Sequence, residues 1–417
     1  MWLSSLDELL WPFILVIVLL QLYPALAWGY EFHLEPSITS KEEYNSNIFL
    51  SADNVKSDFI TTLSPGIRMV DRTERLDTDL TLGLDRLEFV QNPDFSATNQ
   101  VYQGKFGYLV TPLLKISAGA QYARYPNPTL EIKNTGIAMV AVPWQHISSS
   151  LTADYRLTEK TTALLSYGFG ADYFEGQDYN NDTTHDFHAE VDHDLSRYFP
   201  SLKGFADVGY SKYYFFNSRV DNVTGTVGFA RDFSETWGVR ADAGVRYTST
   251  EASVTEVVPV SFLVAGGQVI PFIFKTVREQ VQNNGWGWVT AVSLKYTGEK
   301  SSGAITYTRD VTPASGLAGA AESNALALSM QHRFTGSFSA IFGASYSILS
   351  SNASEFSAQA IDQRALWVNP GVNYRFSRDL SAEAAYEYDL VRNLGAGEER
   401  HIFSVSLKIR RIFGDAF

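Results

Sequence analysis

Phe403-Ser404-Val405-Ser406-Leu407-Lys408-Ile409-Arg410 decides the fold. Apolar Phe403, Val405, Leu407 and Ile409 alternate with Ser404, Ser406, Lys408 and Arg410. A period of two puts one kind of side chain on each side of an extended strand. The same reading works upstream. Leu380, Ala382, Ala384, Tyr386, Tyr388 and Leu390 stand against Ser381, Glu383, Glu387 and Asp389. Trp237, Val239, Ala241, Ala243, Val245 and Tyr247 stand against Arg240, Asp242, Gly244 and Arg246, and Leu76, Leu80, Leu82 and Leu84 against Asp77, Asp79 and Asp85. One side is large and apolar, the other charged and Gly-rich. Alternation sustained from residue 31 onward marks half-buried strands, not helices.

About 18 such segments can be counted, near residues 31–45, 58–71, 74–91, 98–112, 113–125, 145–157, 161–175, 182–196, 203–216, 219–232, 236–250, 283–297, 301–312, 321–334, 337–350, 361–376, 379–393 and 399–413. Their connections alternate in length. Leu157-Thr-Glu-Lys160, Phe233-Ser-Glu-Thr236, Tyr296-Thr-Gly-Glu299, Phe334-Thr-Gly-Ser337 and Phe376-Ser-Arg-Asp379 are short, each an aromatic or Leu followed by Ser or Thr. Between them lie 126–144, 176–181, 251–282, 313–320, 351–360 and 394–398. Short periplasmic turns and longer extracellular loops are the pattern of an outer-membrane barrel, and an even strand number puts both termini on the periplasmic side.

Aromatic spacing supplies a metric check. Trp237 and Tyr247, Trp286 and Tyr296, and Phe403 and Phe413 are each ten residues apart. Ten residues rise about 33 Å, or about 25 Å along the membrane normal at a tilt of about 40°. That is the separation of two aromatic girdles, and these six residues are the girdle candidates. A soluble sandwich or β-helix would instead use strands of about 5–6 residues. In lipid every backbone polar group must be paired, so the sheet has to close. The expectation is an all-β, closed antiparallel transmembrane β-barrel of about 18 strands, or 20 if the apolar stretch 255–275 adds two. That stretch, with Pro259 and Pro271 around Ala265-Gly266-Gly267, could equally be an extracellular hairpin or an inward constriction. Residues 136–144 pose the same question.

Two domains follow. Residues 1–27 read as a signal peptide: an apolar core Phe13–Leu20, then Tyr23-Pro24 and the small-residue site Ala25-Leu26-Ala27. Its n-region carries Asp7 and Glu8 and no Lys or Arg, unlike the usual signal; the alternative is an uncleaved inner-membrane anchor, for which the core is short. Residues 28–417 are the barrel. The chain has no Cys, which excludes a disulfide scaffold, a thiolate metal site and a Cys nucleophile. A net charge of −13 without a basic patch argues against nucleic acid.

The chemical constellations are weak. Thr184-His185-Asp186-Phe187-His188-Ala189-Glu190-Val191-Asp192-His193-Asp194 has a metal-binding composition, but on a strand His185 and His193 lie about 26 Å apart, and His188 points the other way. No Gly-x-Ser-x-Gly elbow or phosphate loop occurs. We therefore expect no enzyme, no catalytic residue, no cofactor and no metal. The polar parity defines lumen-lining candidates instead: Asp77, Asp79, Asp85, Lys115, Asp154, Arg156, Arg240, Asp242, Arg246, Arg375, Glu383, Glu387, Lys408 and Arg410, with Arg68, Glu190, Asp192 and Asp389 on the same reasoning. Mixed charge of this kind gives a hydrated wall without strong ion selectivity, or pairs that fill the interior.

Two stretches near the start carry a resemblance. Lys41-Glu-Glu-Tyr44-Asn45-Ser-Asn47-Ile48-Phe49-Leu50 and Ser57-Asp58-Phe59-Ile60-Thr61-Thr62-Leu63-Ser64-Pro65-Gly66-Ile67 resemble the β-barrel porin family found beside exopolysaccharide and exosortase-type clusters, with its EYNDN-like and F-x-x-x-x-P-G-like motifs. Ser46 stands where that family has an acid. Gly285-Trp286-Gly287 and Tyr296-Thr-Gly-Glu-Lys300-Ser-Ser-Gly303 are similar to its later part. The resemblance implies an outer-membrane barrel serving surface polysaccharide export, and no catalytic residues. The C-terminus also resembles the assembly signal of outer-membrane proteins, read from Phe417 or from Phe413, where the alternation ends.

The expected function is therefore an outer-membrane channel, porin-like, passing polar solutes; the alternative is a non-conducting structural or assembly barrel of an envelope complex. Its partners would be outer-membrane lipid, the assembly machinery, and polysaccharide or another polar solute. Its place would be the outer membrane of a Gram-negative-type bacterium.

Overall fold

A computed structural model describes residues 31–51, 54–125, 143–175, 181–265, 268–314, 319–352, 355–357, 360–393 and 396–413; the side chains of 254–265, 268–279 and 396 are not part of that description. Residues 1–27, expected to be a signal peptide, most of 136–144 and Phe417 lie outside the described residues. The strands are β1 Glu31–Asn45, β2 Asp58–Arg72, β3 Leu76–Phe89, β4 Ala97–Thr111, β5 Leu114–Tyr125, β6 Trp144–Arg156, β7 Thr161–Phe174, β8 Asp182–Asp194, β9 Leu202–Phe215, β10 Ser218–Asp232, β11 Trp237–Ala265, β12 Gln268–Thr297, β13 Ser301–Pro313, β14 Ala320–Arg333, β15 Phe338–Ser351, β16 Ile361–Arg375, β17 Leu380–Asn393 and β18 Ala396–Arg410.

Each strand pairs antiparallel with its sequence neighbours, and β1 pairs with both β2 and β18, so the sheet has no free side. The structure is thus a closed 18-stranded antiparallel barrel, as the alternation required. Closure runs from Ser37↔Arg410 to Asn45↔Ile402, and a bridge between Leu34 and Phe413 extends it at the periplasmic end. The register keeps the apolar parity continuous: Ile38, Leu63, Val223, Val245, Val292, Ile305, Leu326, Val405 and Leu407 are all exposed on the outer surface. A closed barrel with this apolar belt is an outer-membrane protein of a Gram-negative-type bacterium.

The short turns explain their shared composition. Thr335 Oγ1 accepts from the Ser337 and Phe338 N–H groups, at 3.2 and 2.9 Å. Ser234 Oγ accepts from Thr236 and Trp237, and Ser377 Oγ from Asp379 and Leu380. Thr158 accepts from Lys160. Hydroxyl residues close such turns by taking orphan backbone donors. Thr73 and Thr111 do the same at two further turns.

One boundary differs from the sequence reading. The apolar stretch 255–275 adds no strands, so the count is 18 and not 20. It prolongs β11 and β12, which stay paired from Trp237↔Tyr296 to Ala265↔Gln268, with a register irregularity around Pro259–Phe262. At about 3.3 Å per residue this hairpin reaches roughly 60 Å past Tyr247. The strands run on because no turn residues interrupt them before Gly266-Gly267. Pro259 and Pro271 are tolerated because both strands of a two-stranded ribbon are edges.

Candidate functional site

The concave wall is identified by contacts that skip strands, since only the inside of a curved sheet brings them together. Arg240 on β11 pairs with Glu190 on β8 at 2.9 Å, and Tyr213 on β9 donates its hydroxyl to the Val311 carbonyl on β13 at 3.1 Å. From these the parity can be followed around the barrel.

Toward the short turns the wall is charged and open. Arg68 bonds Asp79 through two nitrogens. Glu35 lies between Arg68 and Arg410, 3.7 Å from each. Arg72 reaches Asp77 at 3.4 Å, both exposed. Arg240 lies over the Phe205 ring at 3.7 Å as it reaches Glu190, and His188 meets Asp207 at 3.1 Å. Lys115 and Asp154 are register partners on β5 and β6; Glu383 faces Asn373 and Ser406, and Arg375 and Lys408 flank Ser381, whereas Asp85 lies nearer the opposite end of β3, facing buried Asn99. Asp242 sits between Gly228 and Ala291, and Arg156 opposite Thr162. Asp192 faces Phe205.

Toward the long loops the interior is packed. Arg400 is buried against Asp389, which is 0% exposed, at 2.6 Å, with Glu387 at 3.8 Å and the Asn369 amide on Glu387. Tyr213, Phe215, Val220, Val311, Ala320 and Phe356 form one buried cluster. Ala314, Ala321, Leu349 and Ile361 form a second, and Leu50, Ala365 and Val391, with Trp367 against them, a third. The connections after β13 and β15 are strapped together: Ala320 N–H donates to Phe356 O at 2.9 Å, and Gly319 bridges Ser357. Gly319 has φ +153°, and a Cβ there would lie 2.4 Å from the Ser357 backbone, so only glycine fits.

The two motifs near the start turn out to tie this end together. Asn47 bonds Ser51 O and Glu399 O, its own N–H meets Asn45 Oδ1, and Ser46 Oγ accepts from the His401 N–H. Asp58 is fully buried and accepts from the Gln91 and Asn92 N–H groups and the Asn92 amide, pinning the β3–β4 connection.

The aromatic candidates meet across strands. Trp237 lies 4.8 Å from Tyr296, Tyr247 5.1 Å from Trp286, and Phe403 4.8 Å from Tyr386; Phe413 is exposed near the periplasmic end. Among the described residues no group of three or more His, Cys, Asp or Glu could hold a metal. His185 bonds the Tyr167 hydroxyl and His193 the Thr161 hydroxyl.

Sequence reasoning missed Arg400, Arg309, Glu322, Tyr213 and Phe356. Arg400 was within reach, since it shares the parity of Lys408 and Arg410. Arg309 and Glu322 carry the lipid-side parity, and nothing local shows that their strands leave the wall.

No family model and no curated protein matches this chain. Among solved structures it is similar to OccAB4 of Acinetobacter baumannii (8% identity, TM-score 0.44, covering 92% of this chain and 98% of that one). It is similar also to OccK2 (OpdF) of Pseudomonas aeruginosa (8%, 0.42, 91% and 98%) and to a loop-deletion mutant of OmpT, an outer membrane protein of Vibrio cholerae (11%, 0.41, 92% and 100%).

Proposed function

We propose that this protein is a porin-like outer-membrane channel for polar solutes, without enzymatic activity, working where surface polysaccharide is exported. The observation that carries the reading is the charged, solvent-open wall of the periplasmic half. Barrels of about 16–18 strands enclose an aqueous lumen unless something fills it. Acids and bases alternate around that wall, as in Glu35 between Arg68 and Arg410, so the pore would be hydrated but only weakly ion-selective. Asp77, Asp79, Lys115, Asp154, Arg156, Arg240, Asp242, Arg375, Glu383, Lys408 and Arg410 would line the vestibule, and Asp85 the wall above it. Glu387 and Arg246 would belong to its narrow upper end. The six girdle aromatics would seat it in outer-membrane lipid, after insertion by the assembly machinery and removal of residues 1–27.

A second reading has its own support. The three buried clusters at the long-loop end suit a non-conducting barrel that serves as a structural or assembly partner in an envelope complex. Planar-bilayer recording separates the two. The channel reading expects discrete conductance steps from folded, purified protein, with little preference for cations over anions. Folded protein that inserts yet gives no steps would favour the structural barrel.

A further inference from the structure

The wall is interrupted on one side, between β12 and β13. Their ladder climbs from Thr297↔Ser302 to Thr290↔Arg309 and stops there, although β12 continues upward and β13 runs on to Pro313. Above Thr290, β12 pairs with β11 alone among the described residues. The Tyr247↔Trp286 pair of the upper aromatic row lies four residues higher on β12, so the gap spans about 13 Å of strand at the level of the outer leaflet.

Side-chain contacts pass through it. Arg309 and Glu322 carry the lipid-side parity of Ile305, Leu326 and Leu328, whereas Arg246 belongs to the inner face of β11. Arg246 nevertheless bonds Glu322 at 2.8 Å, and Arg309 bonds the same carboxylate at 2.6 Å. An inner-face guanidinium can meet an outer-face carboxylate only where the wall is open. The upper ends of β13 and β14 have turned inward, and Val311 packs on Tyr213 of β9, four strands away around the barrel. Arg246 crosses over Gly287, where a Cβ would lie 2.6 Å from its Cζ.

We propose that this seam binds the head of an anionic amphiphile and passes it between the lumen and the outer leaflet. Two guanidiniums share one carboxylate, and the Nε–H of buried Arg246 and that of Arg309 have no acceptor among the described residues. The nearby Asp310 Oδ1 is taken by the Val311 N–H at 2.7 Å. A phosphate or carboxylate head supplies the missing acceptors, as guanidinium groups favour. On the lipid side Arg309 stacks on Trp288 at 4.0 Å, and Trp286 and Trp288 are 76% and 48% exposed, giving an alkyl tail a surface. Unpaired backbone in lipid is tolerated only where protein or a polar cavity covers it, and such a headgroup meets that need. This route stands whether or not the barrel conducts ions.

The chain has no cysteine, so introduced pairs report cleanly. In bilayers, oxidation of Leu294→Cys/Ile305→Cys, a registered pair below the gap, should cross-link at least tenfold faster than Trp288→Cys/Val311→Cys, which a continuous wall would place opposite each other. Equal rates would overturn the open seam. For the ligand, dodecyl phosphate titrated into the folded full chain in non-ionic detergent should bind at least tenfold more weakly to Arg309→Gln and to Trp286→Ala/Trp288→Ala. Dodecyltrimethylammonium and inorganic phosphate should each bind at least tenfold more weakly than dodecyl phosphate to the unaltered chain. If the cationic amphiphile binds as well, the guanidinium site is refuted; if inorganic phosphate does, the seam holds free anions and the lipid route falls.

Discussion

The two halves of the barrel interior are built from the same alternating strands but reach opposite ends. Near the short turns the inner ion pairs keep at least one exposed partner, as Arg72–Asp77, Arg68–Asp79 and Arg240–Glu190 show. Near the long loops Arg400–Asp389 is closed off from water at 2.6 Å, and Phe356 fills space against Tyr213 and Val220. Parity alone decides which face a residue takes. Whether that face meets water depends on what the connections at each end bring inward, and the turns at the short end are two to four residues long except for 195–201. Stability should therefore reside in the upper half, and solute contact in the lower.

The sharpest way to break this comparison is to remove one partner of the buried pair. Asp389→Ala takes from Arg400 its closest partner in a closed site and leaves Glu387 at 3.8 Å; breaking a buried pair costs about 3–5 kcal/mol. Denaturant unfolding of the bilayer-inserted barrel should show a midpoint shift of that size. A loss below about 1 kcal/mol, the range of surface pairs, would mean that water reaches Arg400 and that the upper half is not closed.

Next in size is Phe356→Ala. Removing a buried aromatic costs about 3–5 kcal/mol in a rigid core, but this ring stands in a lumen where water can replace it, so the lower end of that range is expected. If the cluster of Tyr213, Val220 and Phe356 narrows the passage, single-channel conductance should rise several-fold in the variant. Unchanged conductance with lowered stability would assign the cluster to support alone.

Asp58→Asn is smaller and separates charge from hydrogen bonding. Asp58 accepts from Gln91 and Asn92 at the start of β2. The amide keeps one acceptor oxygen and loses the other, so a loss of about 1–3 kcal/mol is expected, together with faster proteolysis of the β3–β4 connection at residues 90–96. Slow proteolysis at unchanged stability would show that the connection is held by its packing of Phe95 against Phe49 and Phe89.

These effects also show how much could be read from the sequence. Period two and turn spacing gave 18 strands, the closed sheet and the inner and outer faces, because those follow from local pattern. The β11–β12 hairpin was cut short because its upper part is apolar on both parities, which looks like a loop or extra strands until the pairing is seen. Arg309 and Glu322 were hidden for another reason. Alternation encodes the face of a strand but not the place where the strand leaves its neighbour, and β13 does so immediately after Arg309. Asn45, Ser46 and Asn47 were visible as a motif, yet their bonds to β18 depend on a partner over 350 residues away.

The smallest stability effect should come from Arg410→Ala. Arg410 is exposed, 3.7 Å from Glu35, and Glu35 keeps Arg68 as a second partner. A screened pair of this kind contributes about 0–1 kcal/mol, so the unfolding midpoint should barely move. Removing one positive charge from the vestibule should instead shift the reversal potential toward cation preference under a salt gradient, by more at low ionic strength because screening over a Debye length of about 10 Å at 0.1 M weakens the wall field. Arg246→Gln in the closed half should do the reverse, lowering stability more than it alters selectivity. If Arg410→Ala lowers stability as much as Asp389→Ala, the wall near the short turns is as closed as the wall near the loops, and the contrast between the two halves does not exist.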